Sequence, residues 1–223
     1  MFLNFHTHAD HKSVEGISVR NLIVGLDLHN ESDPLAEDGL FSVGIHPWYF
    51  DEQDVESKLQ LLENVAQSKR VKLIGECGLD RLKGPSLLLQ QAIFEKQIAL
   101  AEKVRKPVLV HCVKCYSELL AIKKKLQPQI PLVVHGFNNK PELGGQLLDA
   151  GFYFSLGTAI LRQESNAAQL LQRIPLNRLF LETDDKGNAI EEVYEAAAVI
   201  TKTPLNELKD NIFANWMSLN NGS

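Results

Sequence analysis

Eight short apolar, β-branched runs alternate along this chain with longer stretches of helical period, an alternation that few folds accommodate. The runs are Phe2 to His6, Asn21 to Leu28, Leu40 to Ile45, Val71 to Glu76, Pro107 to His111, Pro131 to His135, Phe152 to Leu156 and Arg178 to Glu182. Such runs separated by helices predict βα units around a parallel sheet, and eight strands close a TIM-type (β/α)8 barrel. Asp54 to Ser68 carries Val55, Leu59, Leu62, Val65 and Ala66 on one face, and Leu89 to Val104 does the same with Ile93, Leu100, Ala101 and Val104. Further helical patterns cover Ser117 to Leu126, Pro141 to Ala150, Ser165 to Arg173, Ala189 to Thr201 and Pro204 to Leu219.

The segments between the first three strands are only about a dozen residues long and lack a helical period, close to the minimum for a parallel crossover. The expectation is therefore a distorted α/β barrel with a shortened N-terminal third, its first two outer helices missing and one early strand antiparallel. No linker or low-complexity tract divides the 223 residues, so a single domain over 1–223 is expected. A hydrophobic share of 44% excludes a disordered chain. The net charge of -5 leaves no global positive field for a polyanion, so nucleic-acid binding has to be local. Three cysteines and no secretory leader pattern point to the cytoplasm, and no apolar run reaches the roughly 18 residues of a membrane helix. No exposed heptad or edge pattern calls for an obligate protein partner.

The strand ends carry the chemistry. His6 and His8, two apart on a strand, point to the same side. Glu76, His111 and His135 end three further strands, and RLFLETD runs into Asp184. All six are metal-ligand types, and in a barrel these ends meet at the rim where active sites are built. Six ligands exceed the three or four of a mononuclear zinc site, so two divalent ions are implied, with a carboxylate such as Glu76 able to bridge them. Mixed imidazole and carboxylate ligation suits Zn, Mn, Fe or Ni better than Ca, with Mg an unusual occupant.

The ordered set FHTH, GIHP, GECGLD, VLVHC, VVHGF, GFYFSLG and LFLETD resembles the TatD family of metal-dependent deoxyribonucleases in the amidohydrolase superfamily, and the likeness runs from Phe5 to Asn215. The resemblance implies one ion held by His6, His8 and Asp184 and another by His111 and His135, with Glu76 bridging. It implies hydrolysis of DNA phosphodiesters, often 3′-to-5′, with Glu76 and Asp184 as the catalytic carboxylates and Asp184 holding or accepting the proton of the attacking water. The chain departs from the family pattern in three places. HCVKC at 111 to 115 puts Val113 and Lys114 where an Arg-Asp pair is common. ETDDKGN places Asp185 beside the motif, and GIHPW carries Trp48 where a second histidine is frequent.

Around this set, His46, Trp48, Lys114 and Asn138 are candidate substrate contacts: His46 for a phosphate or leaving oxygen, Trp48 for stacking a base. Arg81, Lys83, Asn139 and Arg162 are further rim positions for a phosphate. Asp80 is a candidate to orient a metal-bound histidine through its other nitrogen, with a turn residue as the alternative. Cys112 and Cys115 have CxxC spacing, but strand alternation points Cys112 and Cys77 away from the ligands. His11 and His29 stand outside these patterns and receive no role. The substrate expected is DNA, as single strands or strand ends. A hydrolase of small esters, amides or phosphoesters with the same metal site is the first alternative, and a metal-stabilised binding protein without turnover is the second.

Overall fold

A computed structural model describes residues 1–8, 16–30 and 38–220. Eight strands form one sheet in sequence order: β1 (Phe2–Thr7), β2 (Gly16–Ile23), β3 (Leu40–Gly44), β4 (Val71–Asp80), β5 (Val108–Val113), β6 (Leu132–His135), β7 (Tyr153–Leu156) and β8 (Leu179–Leu181). The helices are α1 (Val55–Val65), α2 (Leu87–Val104), α3 (Tyr116–Leu126), α4 (Pro141–Asp149), α5 (Asn166–Leu171), α6 (Ile190–Thr201) and α7 (Leu205–Asn220). The order closes on itself where the backbone of Thr7 bridges Asp184: His8 N–H donates to Asp184 O at 3.1 Å, and Asp184 N–H to His6 O at 3.0 Å. The architecture is a TIM-type (β/α)8 barrel.

The strand expected to run antiparallel does not do so. β1 and β2 pair in parallel from Phe2↔Gly16 to Thr7↔Arg20, and β2 starts five residues before the expected Asn21. The segment Gly16 to Arg20, with Ser18 and Arg20 interrupting its apolar positions, hid the start of the strand. Among the described residues no helix precedes α1. β4 runs on to Asp80 instead of stopping at Glu76, with a register irregularity between Ile74 and Cys77.

By contacts the chain divides into two units, one made of Met1–Arg20 with Val133–Asn221, the other of Asn21–Leu132. In the first, the Phe5 and Phe180 rings stack at 4.1 Å, and α7 buries Leu208, Ile212, Trp216 and Leu219 at helical spacing. The Tyr194 hydroxyl of α6 donates to Leu3 O and accepts from Leu3 N–H, tying α6 to β1. In the second, Ser86 caps α2 by accepting from Leu89 N–H, and Ile93, Phe94, Ile98 and Ala101 form the buried face of that helix. No described helix is long and apolar enough to cross a membrane.

Two candidate metal clusters

In the unit built on Asn21–Leu132, Glu76 is nearly fully buried and lies against two histidines. Its Oε1 is 2.7 Å from His111 Nδ1 and 3.2 Å from His46 Nε2. Glycines on either side of Glu76 allow this approach. Gly75 and Gly78 have φ of +139° and +149°, and a Cβ on them would lie 2.3 Å from Leu109 O and 2.0 Å from His111 O. Any side chain there would push β5, and His111 with it, away from β4. The GECG pattern thus has a steric basis.

The other ring nitrogens of the two histidines define what each can do. His111 Nε2 is 3.3 Å from Asp80 Oδ2, so a proton on Nε2 faces a carboxylate and Nδ1 turns its lone pair toward Glu76. Two lone-pair atoms 2.7 Å apart in a buried space need a cation or a proton between them, so the donor set fits a metal ion. His46 Nδ1 accepts from Trp48 N–H at 3.2 Å, which places its proton on Nε2, where it donates to Glu76. In that tautomer His46 orients the carboxylate, and it ligates an ion only by giving up that proton. The three ligand atoms lie within 4.8 Å of one another.

Three buried polar side chains hold the backbone behind this cluster, and sequence reasoning passed over all of them. Asn21 Oδ1 accepts from Glu76 N–H and from Ser42 Oγ, each at 2.8 Å. On α2, Gln97 pairs with both backbone groups of Ile45, next to His46. Gln90, one heptad earlier, accepts from Asp80 N–H and donates to the carbonyls of Asp80, Lys83 and Pro85. The available signal was a polar residue on an otherwise apolar face: Asn21 at the head of an apolar run, and two glutamines seven apart on the buried stripe of α2.

Asp80 is buried, and its Oδ2 also accepts from the Trp48 indole N–H at 2.7 Å. Burial pushes its carboxyl pKa up, but bonds from Leu82 N–H, Trp48 and His111 outweigh that and hold it below the usual carboxylate value. Lys83 Nζ lies 3.9 Å from the centroid of the Trp48 ring. Arg81 donates to Lys114 O and pairs with Glu118.

The unit containing β1 holds the other cluster. His6 on β1 and His8, one residue past its end, have ring centroids 5.0 Å apart. Asp184 Oδ1 is 3.3 Å from His6 Nε2 and 3.6 Å from His8 Nε2. Asp184 sits at φ 56°, a left-handed conformation that aspartate tolerates, locked by the backbone bridge to Thr7. Asn4 adds two bonds, from its Nδ2 to Thr183 Oγ1 at 2.7 Å and from Thr183 N–H to its Oδ1 at 3.0 Å. The ligand atoms of His6, His8 and Asp184 also lie within 4.8 Å of one another.

His135 in the same unit has its ring 4.7 Å from that of His6. Its Nδ1 is 3.4 Å from Oε1 of Glu182, a fully buried carboxylate that also accepts from Gly136 N–H. Glu182 went unnoticed in the sequence although it belongs to the LETD motif. Asn138 caps the start of α5, accepting from Ala167 N–H. Cys77, Cys112 and Cys115 are buried, and burial raises all three thiol pKa values, which argues against redox chemistry. His11 lies outside the described residues.

The TatD related DNase family model matches residues 8–219. The uncharacterized metal-dependent hydrolase YcfH of Escherichia coli K12 is 34% identical over 162 residues, which cover 71% of this chain and 58% of that protein. The 3′-5′ ssDNA/RNA exonuclease TatD of Pantoea ananatis is 32% identical over 147 residues, 64% of this chain and 56% of the relative. The chain thus matches little more than half the length of these curated relatives. Among solved structures, the TatD homologue YjjV of Escherichia coli K12 superposes with a TM-score of 0.84 at 21% identity, over 99% of this chain and 98% of that one, a likeness of fold. With the family model matching all but the ends of the chain, and with Glu76, His111 and Asp184 inside the matched span, the chain belongs to the TatD related DNase family.

Proposed function

We propose that this chain is a metal-dependent nuclease that hydrolyses DNA phosphodiester bonds from strand ends or single strands, with one divalent ion at each cluster. The observation that carries the proposal is the presence, in each unit, of three His or carboxylate groups whose ligand atoms converge within 4.8 Å. The nuclease names of relatives such as the Pantoea exonuclease support the choice of substrate. When bound, the ions supply Lewis-acid polarisation of a phosphoryl oxygen and a nucleophile at neutral pH; Zn, Mn and Mg are the candidates.

The protein's own groups divide the remaining work. His46 Nε2–H holds Glu76 in one orientation, and Asp80 keeps the proton of His111 on Nε2 so that Nδ1 stays a ligand. Glu76 and His111 would be the ligands of the ion in the buried cluster. The Asp184 side chain is about a third exposed, so solvent reaches its carboxylate, and it takes the proton of the attacking water. The backbone bridge to Thr7 fixes the main chain from which that carboxylate projects.

The test is nucleotide release from single-stranded DNA by metal-depleted protein resupplied with Mg, Mn or Zn, with Glu76→Ala as control. Metal-dependent release that the substitution abolishes is the expected result. No release by protein loaded with two ions would overturn the DNA assignment and turn the search to small esters and amides.

A further inference from the structure

We propose that Lys83, seated on the indole of Trp48, is the cation that captures a substrate phosphate beside the His46, Glu76 and His111 cluster. The inference rests on the nuclease reading and deepens it. Contacts to phosphates that are not being cleaved position a nucleic-acid strand on a protein, and Lys and Arg are prominent among the groups that make them. Three cationic side chains lie near this cluster in sequence: Arg81, Lys83 and Lys114. Arg81 is committed to Glu118 and to the Lys114 carbonyl. Lys114 is exposed, with no ion pair or aromatic ring holding its ammonium among the described residues.

Lys83 differs from both. Its ammonium rests 3.9 Å from the Trp48 ring centroid, and the Trp48 ring lies 4.7 Å from His46 and 5.6 Å from His111. No carboxylate neutralises it among the described residues. The loop that carries it is built rather than loose. Gln90 grips the loop through the carbonyls of Lys83 and Pro85, and Gly84 packs so tightly that a Cβ would lie 2.0 Å from Pro47 O. The indole is fixed as well, its N–H on Asp80. A cation already held over an aromatic face loses less side-chain freedom on meeting an anion, and its N–H donors facing away from the ring remain available. Lys83 on this framework supplies the positive charge that Val113 does not. It also occupies Trp48, so the indole acts as the seat of a cation and not as a platform for a base.

The experiment uses metal-loaded protein and a short oligothymidylate with phosphorothioate linkages, which is hydrolysed slowly enough for binding to be measured. Trp48 and Trp216 are the only tryptophans, so in a Trp216→Phe background the emission reports on Trp48 alone. We expect the oligonucleotide to perturb that emission. We expect Lys83→Ala to weaken binding about tenfold and to flatten the salt dependence by about one phosphate contact, a change of roughly 0.7 in the log–log slope for a single strand. Lys83→Arg should restore most of both, Lys114→Ala should change them less, and with cleavable DNA Lys83→Ala should raise KM more than it lowers kcat. Unchanged affinity, salt slope and emission response in Lys83→Ala would overturn the proposal while leaving the nuclease reading standing. Failure of the parent protein to bind the oligonucleotide would overturn both.

Discussion

The two clusters use the same residue types and solve different problems. Around Glu76, all three groups are buried, and each is fixed by a further bond: His111 by Asp80, His46 by Trp48 N–H, Glu76 by Asn21 on its own backbone. Around Asp184, His6 is fully buried but His8 and Asp184 are each about a third exposed, and the fixing comes from backbone pairing of Thr7 with Asp184. A closed, heavily braced site favours retention of an ion and orientation of its ligands. A site open on one side favours exchange with solvent and access for a reactant.

The largest effect should come from Glu76→Ala, which removes a carboxylate in direct contact with both His46 and His111. Hydrolysis should fall by at least roughly a hundredfold, and elemental analysis should show metal lost from this cluster. Full metal content in the variant would break the comparison by showing that the histidines hold the ion alone.

Next is Gln97→Leu, which leaves both backbone groups of Ile45 without partners in a buried setting. With about 1–3 kcal/mol for each unsatisfied group, urea denaturation should show a loss of about 3 kcal/mol. A neutral result would mean that the bracing from α2 is dispensable and that the two clusters are held alike.

Asp80→Asn should lower metal affinity at the buried cluster by about ten- to a hundredfold through the His111 tautomer. Competition with a graded series of chelators reads this directly. The His6, His8 and Asp184 cluster should keep its affinity, and equal weakening at both would sink the assignment of Asp80 to His111.

The smallest effect concerns another buried charge of the Asn21–Leu132 unit. Lys106 Nζ donates to Ala66 O and Ser68 O, while burial and, to a lesser extent, the nearby Lys72 lower its pKa to about 8 from 10.5. Below about pH 8 the lysine is charged in both states and the folded form bears the cost of burying it. Between about 8 and 10.5 the folded protein has released a proton that the unfolded chain still holds, so stability should rise with pH by on the order of 1–2 kcal/mol. Lys106→Met should lose that rise, measured by denaturation across the window.

The alternation of apolar runs and helical periods located the eight strands and seven α-helices of the described residues by itself, because burying one face of each element against the next leaves a periodic trace in the chain. It also singled out His6, His8, Glu76, His111, His135 and Asp184 as metal-ligand types, since residues at or just past strand ends share a position in the repeat. Where periodicity was weak, as in Gly16 to Arg20, the strand start and its direction were lost. Only the tertiary structure decided which ligands meet and which atoms they present, that His46 faces Glu76, that Trp48 serves Asp80 and Lys83, and that Asn21, Gln90 and Gln97 brace the backbone. Apart from the local bonds of Gln90, those relations rest on contacts between residues far apart in the chain, and a contact across tens of residues leaves no period for a single sequence to reveal.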